Sequence, residues 1–391
     1  MTKDMERVRA GLDRARRCRW AGVGRSAHPD AAIAGRDATR AALSEHDDAG
    51  LLIVFASGAY DLRPLAAEIS DVAAGIPVVG CSSAGEIDAS GAGVGSVVVL
   101  ALGGEGLSFS ATAVRAADDA RDAGARAAAC VGDVVDRDHQ VLLLLSDGPA
   151  HRQPSIVRGA YSVAGAGVPL VGGAAGHAVR AGAPALIYGG ALLQDAVIGI
   201  AIGSDAPLGV GVRHGWRRVG DPMLVTRASP GRVLELDGRP AAEVYRERLG
   251  GRQPAAATLA HTLGMERRHG EAHVRWVGDD DAYDGSLTCA LPGGAMVWLM
   301  ENDCDGVQDA TDAACAEALA ALGDDPASAL VVFDCTSRLQ LLGDAVDEEI
   351  ARIRRHAGDA TVAGLYTRGE IARTRGSAGF HQQTLVVLAI A

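Results

Sequence analysis

Residues 76–87 read IPVVGCSSAGEI, residues 168–179 read VPLVGGAAGHAV, and residues 360–371 read ATVAGLYTRGEI. Each is a short apolar run ending in a glycine, Gly80, Gly172 or Gly364. A loop follows that closes on a second glycine, Gly85, Gly176 or Gly369. Next comes Glu86, His177 or Glu370. Recurrence of this kind marks a repeated supersecondary unit, and it directs attention to the strand tips.

The likeness extends on both sides of the turns. Ahead of the first lie a helix-like stretch over Asp30–His46, the buried-strand run LLIVFA (51–56) and a second helical stretch over Asp61–Ala73. Behind it runs the strand GVGSVVVLAL (93–102). The second copy has VLLLLS (141–146) and VIGIAIG in the matching places. The third is read as starting at AMVWLMEN, with ALVVFDC (329–335) and TLVVLAI to match. Short continuous apolar strands alternating with helices predict sheets covered by helices. The last strand of each unit follows its predecessor without a helix, so it runs antiparallel. The expected fold is α/β (mixed α+β): three β-α-β-α-β-β units with mixed sheets. Residues 204–292 break the pattern with alternating strands and are expected as an inserted β-rich segment. Two domains follow, 18–203 with two units and 204–391 with the insert and the third.

At 391 residues, 48% apolar and 22% charged, the chain has ordinary globular composition. No apolar run approaches the roughly 18 residues of a membrane span, and the first 20 residues lack a secretory apolar core. Seven cysteines without CxxC pairing fit reduced thiols in a cytoplasmic protein. A net charge of −12 without a basic stripe argues against nucleic acid as a partner. Lys3 is the only lysine, which excludes a Walker A loop and a Schiff-base lysine elsewhere in the chain. No histidine pair has metal-ligand spacing, so no metal site is expected. Haem held by a single histidine would leave no spacing signal.

Glycines at strand ends let backbone N–H groups converge on an anion, and Ser82 and Ser83 add hydroxyls. Glu86 either balances a ligand amine or pairs with an arginine. Cys81 is a candidate nucleophile with His177 as its base, or a buried filler. The tips of the preceding strands carry Ser57, Asp147 and the run Cys335-Thr336-Ser337-Arg338; such residues line crevices in α/β sheets or cap helices.

GCSSAGEI after IPVV and GGAAG after VPLV resemble the N-terminal FIST domain of bacterial sensory proteins. VTRASPGRVLELDGRPAAEVY (225–245), HVRWVG (273–278) and AGLYTRGEI (363–371) resemble its C-terminal partner domain. The resemblance implies an intracellular sensory module, not an enzyme, that binds a small ligand such as an amino acid and signals to a separate protein such as a histidine kinase. No membrane insertion is expected. It leaves open a haem-based nitric-oxide sensor, no cofactor being required, and a Cys81-dependent hydrolase or transferase ranks third. The expected site lies between glycine turns of the two halves. Gly80, Cys81, Ser82, Ser83, Gly85, Gly173 and Gly369 provide its backbone frame, with Glu86 and Glu370 for a cationic group. Tyr366 forms an apolar wall, and Arg275 or Arg338 takes a carboxylate. His177, where an acidic residue is expected, is either structural or a specialised ligand.

Overall fold

The computed structural model describes residues 19–116, 119–176, 183–250, 260–266, 272–278, 284–374 and 379–391. The first unit comprises β1 (Arg19–Ser26), α1 (Ala31–Ala42), β2 (Ala49–Ser57), α2 (Leu62–Ala73), β3 (Val78–Ser83), the short hairpin β4 (Glu86–Asp88) and β5 (Gly91–Gly93), and β6 (Val97–Gly104). The second repeats it: β7 (Leu107–Arg115), α3 (Ala120–Ala127), β8 (His139–Ser146), α4 (Gln153–Ala164), β9 (Leu170–Ala174), the hairpin β10 (Leu186–Tyr188) and β11 (Ala191–Leu193), and β12 (Ala196–Ser204). The third opens with β13 (Leu208–Arg213).

An inserted sheet then intervenes, made of β14 (Arg217–Ser229), β15 (Arg232–Leu236), β16 (Arg239–Pro240), β17 (His261–Glu266), β18 (Ala272–Arg275), β19 (Leu287–Thr288) and β20 (Met296–Glu301), with α5 (Ala241–Arg248) among them. The unit resumes with α6 (Cys304–Ala320), β21 (Ala329–Cys335), α7 (Thr336–Leu342), α8 (Val346–Ala357), β22 (Thr361–Thr367), the hairpin β23 (Glu370–Arg373) and β24 (Gly379–His381), and β25 (Leu385–Ile390). Aspartates cap α1, α2, α3 and α6, each accepting from a backbone N–H in the first turn.

The expected mixed α+β architecture is present, with one strand displaced. AMVWLMEN, expected to start the third unit, instead forms β20 (Met296–Glu301) of the inserted sheet, and the unit begins at β13. The insertion is nested inside the unit, between its first strand and first helix. A sequence signal for this exists. Gly22-Val23-Gly24 on β1 and Gly209-Val210-Gly211 on β13 are the same device. A Cβ on Gly22 or Gly24 would fall on the carbonyl oxygen of Ala42 or Ala38, and one on Gly209 or Gly211 on that of Ala318 or Ala314. Glycine lets the helix backbone lie directly on the strand.

Each unit contributes four strands to its own sheet and lends its hairpin to another. The strand orders are β1-β6-β2-β3-β10-β11, β7-β12-β8-β9-β23-β24 and β13-β25-β21-β22-β4-β5. The first sheet takes the second unit's hairpin, the second takes the third's, and the third takes the first's. This cyclic exchange has the sense of a threefold rotation. The inner faces of all three sheets meet in one core containing Ile53, Phe55, Leu143, Leu145, Val331 and Phe333. Phe55 and Phe333 meet edge to face at 6.3 Å. The alternate residues, such as Leu52 and Val54, pack outward with residues of α1 and α2. Burial on both faces explains why the strands read as unbroken apolar runs.

The glycine turns close the exchange. Ala84 N–H donates to Tyr366 O (3.1 Å) and Tyr366 N–H to Gly85 O (2.8 Å). Ala174 N–H donates to Gly369 O (2.8 Å) and Arg368 N–H to Ala174 O (3.2 Å). Gly176 N–H donates to Ser82 O (3.0 Å), while Ser82 Oγ donates to Gly176 O (2.7 Å). The three turns are therefore joined first to third, third to second and second to first. Of the amides expected to hold a ligand, that of Ser82 donates to Ala185 O (2.9 Å) and that of Gly369 to Thr367 Oγ1 (3.3 Å), while Gly85 gives its carbonyl to the ring. A Cβ on Gly176 would sit 2.7 Å from Ala84 N, and one on Gly173 2.6 Å from Thr367 Cγ2, so the glycines serve turn-to-turn approach.

The two glutamates are latches of the same ring. Glu86 is fully buried and accepts from Ser83 Oγ, Ser96 N (3.0 Å) and Ser96 Oγ (2.8 Å). Glu370 is fully buried and accepts from Thr367 Oγ1 (2.6 Å) and Thr384 N (3.2 Å). Each ties its hairpin back to the start of the unit's last strand. Register identifies the third equivalent. Glu86 pairs with Leu365, Glu370 with Gly173 and Leu186 with Cys81, and each partner directly follows its strand's glycine. The place of the glutamate in the second unit is thus held by Leu186, not His177, which lies outside the described residues. The second turn is longer: Leu186 follows Gly172 by fourteen positions, where Glu86 and Glu370 follow their glycines by six.

Two outcomes follow. Gly176→Ala should destabilise the protein by about 1–3 kcal/mol through overpacking. Gly132→Ala, where an added Cβ meets nothing within 4 Å, should be near neutral; urea midpoints measure both. Burial raises the Glu370 carboxyl from its ordinary 4.5 to about 8, against hydrogen bonds that favour the charged form. The native state therefore keeps a proton that the unfolded chain releases. Its stabilising share is complete below about pH 4.5 and is lost as pH rises through about 8. Glu370→Gln should flatten the fall in stability over that window; equal slopes for both proteins would refute the assignment.

Candidate functional site

A cleft of about 430 Å³ opens at the strand tips between the second and third units. Its second-unit wall is Asp147, just beyond β8, with Pro149 and with Ala174 and Ala175 at the end of β9. Its third-unit wall is Thr336, Ser337 and Gln340 of α7, together with Arg368 from the turn between β22 and β23. Trp276, just beyond β18, and Gln382 complete the rim. Three parts of the structure converge here: two repeat units and the inserted sheet.

Divergence of the second copy leaves room for the cleft. Ala174 and Ala175 stand where the other units have Ser82-Ser83 and Tyr366-Thr367, so the side chains that would fill this corner are missing. The lost glutamate has a second effect. In the first and third units it accepts the N–H of Ser96 or Thr384. In the second, Asp147 takes over that N–H, accepting from Ala196 N at 2.8 Å and from Asp195 N at 2.7 Å. Asp147 is therefore not a helix cap but a half-buried carboxylate fixed at the cleft wall. Burial raises its carboxyl above the ordinary range, against the pull of these backbone donors.

Arg368 is exposed, and its backbone is pinned to Ala174. Among the described residues its guanidinium has no hydrogen-bond or ion-pair partner, in contrast to the many arginines here that are paired. Trp276 is 40% exposed, an unusual state for a large ring, and Gln382 Oε1 holds its backbone N–H at 3.3 Å. The cleft thus offers one cation, one carboxylate, an indole and several amide and hydroxyl groups, a composition suited to a small polar ligand.

Most sequence-predicted residues lie elsewhere. Cys81 is buried in the central core, where burial drives its thiol far above the ordinary value, so it is not placed as a nucleophile. Ser82 is engaged in the turn ring, Ser83 holds Glu86, and Gly80 packs on Val54. Arg275 is buried with Nη1 on Val274 O (2.8 Å) and Nη2 on Phe380 O (3.2 Å), stapling the inserted sheet to β24.

Arg338 is 1% exposed, with Nε 2.7 Å from Asp334 and Nη2 2.5 Å from Glu349 and 2.7 Å from Thr311. Burial alone would lower its pKa, but the two carboxylates reverse that and hold it above the ordinary value. A guanidinium so enclosed is structural and does not meet a ligand carboxylate. Tyr366 is fully buried with residues of α6 and α8, its hydroxyl near the same ion cluster; it lines no open cleft. Asp147 and the Cys335–Ser337 run do reach the cleft, as strand-tip reasoning suggests. Arg368, Trp276, Gln340 and Gln382 escape that reasoning, although Arg368 and Trp276 stand inside TRGEI and HVRWVG.

Among the described residues no histidine lines the cleft, and its Cys335 thiol is raised by burial, so these residues by themselves offer no axial ligand for haem. Among the described residues no group of three His, Cys, Asp or Glu is arranged to hold a metal ion. Among them, too, no helix is long and apolar enough to cross a membrane.

The model of the FIST N domain matches residues 50–239 and that of the FIST C domain residues 241–373. Uncharacterized protein Mb0898c of Mycobacterium bovis is 26% identical over 227 residues, covering 55% of this chain and 58% of that protein. Uncharacterized protein MT0656 of Mycobacterium tuberculosis is 25% identical over 228 residues, covering 55% and 59%. The matches thus span little more than half the length of these relatives. A cyanuric acid hydrolase structure overlaps 96% of this chain and 100% of its own at 11% identity, with a TM-score of 0.32. One from A. caulinodans overlaps 48% and 71% at 10% identity, with a TM-score of 0.29. Scores in that range show neither a shared fold nor a shared chemistry. Together the two family models cover most of the sequence: the chain belongs to the FIST family, which is associated with sensory and signal-transduction roles, and carries its N domain followed by its C domain.

Proposed function

We propose that this protein is a non-enzymatic sensory module that binds a small carboxylate-bearing ligand, an amino acid or related zwitterion, in the cleft between the second and third units. The observation that carries the reading is Arg368, a guanidinium without a partner among the described residues, standing in the cleft that Asp147 and Trp276 also line. Arg368 takes the ligand carboxylate in a bidentate pair. Asp147 faces the ammonium, and Trp276 covers the apolar body. Binding rather than catalysis suits the wall chemistry: among the described residues, Thr336, Ser337 and Cys335 have neither histidine nor lysine beside them in the cleft to act as a base.

Ligand touches three parts of the structure at once, so occupancy biases how the inserted sheet sits against the repeat units. That surface is what a separate signalling protein, such as a histidine kinase, would read. The proposal places the protein in the cytoplasm, with no nucleic-acid partner.

A thermal-shift screen of amino acids tests the reading. A true ligand at a hundred times its Kd should stabilise the wild type by about 2.7 kcal/mol. Arg368→Gln should weaken binding at least tenfold, and Ala175→Leu, which fills the cleft, should abolish it. Undiminished binding by both variants would rule this site out.

A further inference from the structure

A second cleft, of about 530 Å³, lies between the same two units at the far end of β23. Arg368 and Arg373 flank the buried Glu370 on one short segment, and each opens onto a different cleft. Arg373 pairs in register with Leu170, and its guanidinium carbon sits over the Tyr161 ring, 3.4 Å from the centroid. This cation–π contact covers one side of the group. Among the described residues its N–H groups meet no hydrogen-bond acceptor or carboxylate. Part of the wall is apolar: Val168 and Pro169 ahead of β9, Leu208 and Val210 on β13, and Ala321 beyond α6, with Thr374 on the polar side. The acid in the cleft, Glu317, is already neutralised by Arg213 (2.6 Å) and the Val212 N–H (3.0 Å).

We infer that this second cleft is a binding site for a monocarboxylic acid with an apolar chain. The volume lies within the range of about 300–1,000 Å³ typical of small-molecule sites. A guanidinium held over a ring still presents its in-plane donors, the geometry that a carboxylate accepts in two parallel bonds. A single cation with Glu317 nearby favours one negative charge over a phosphate dianion. The apolar walls then bury the chain. This site is independent of the strand-tip cleft, so either can stand without the other.

Calorimetric titration of the full-length protein with hexanoate, octanoate and decanoate tests it, with octanol as the uncharged control. Saturable binding is expected, tightening about three- to fourfold per buried methylene. Octanol should bind at least tenfold more weakly than octanoate. Arg373→Gln should lose at least tenfold in octanoate affinity and nothing in octanol affinity. Absence of saturable binding for all three acids, or equal wild-type affinity for octanoate and octanol, would overturn the inference. The latter comparison decides even if Arg373→Gln does not fold.

Discussion

The ring of hydrogen bonds among the three glycine turns is the constraint on which the rest of the structure depends. Each unit gives away its own hairpin, so no unit can complete a six-stranded sheet alone. The turns are where each chain segment leaves one sheet for the next. Their N–H and C=O groups are buried, and unpaired they would be costly. Pairing each turn with its neighbours satisfies several of them and sets the relative position of the three sheets. The close approach this requires is why Gly85, Gly173 and Gly176 are glycines. Glu86 and Glu370 extend the same logic with carboxylates that bind hydroxyls and backbone amides instead of a ligand.

The proposed site lies where the repetition fails. The second turn has alanines in place of larger side chains, a longer loop, and Leu186 in place of a glutamate. These departures leave open the corner between the second and third units and shift an amide-binding duty onto Asp147. Only in this corner does the inserted sheet supply an exposed indole. The third unit contributes differently: its ion cluster of Asp334, Arg338 and Glu349 anchors the segment that carries Thr336 and Ser337. Removing one member of such a buried cluster strands its partners, so these residues act by holding the cleft wall in place.

Much of this was readable before any coordinates. The threefold repeat, the strand and helix order and the mixed sheets follow from the apolar runs and glycine turns. The GGAAG stretch marks the second turn, but that its alanines leave a corner open emerges only from the fold. Three further features were not readable. Hairpin exchange leaves no mark in any local pattern, because the partner strands lie far away in sequence. The equivalence of Leu186 with Glu86 depends on register across an extended loop. The fate of Arg338 turns on Asp334 and Glu349, and a sequence shows an arginine near a strand tip without showing that two carboxylates enclose it. The nested insertion lay between these cases: GVG on β1 and LGVGV on β13 match, but so short a pattern stands out only once the helix above each strand is known.

Native-state hydrogen exchange on the backbone amides of Ala84, Ala174, Gly176 and Tyr366 tests the central claim most directly. If the turn ring holds the three sheets together, these amides exchange only through global unfolding. Their opening free energies should then equal that of Leu144 in the core strand β8. Exchange through local openings several kcal/mol below the global value would contradict the account, for the sheets would then stay assembled without the ring.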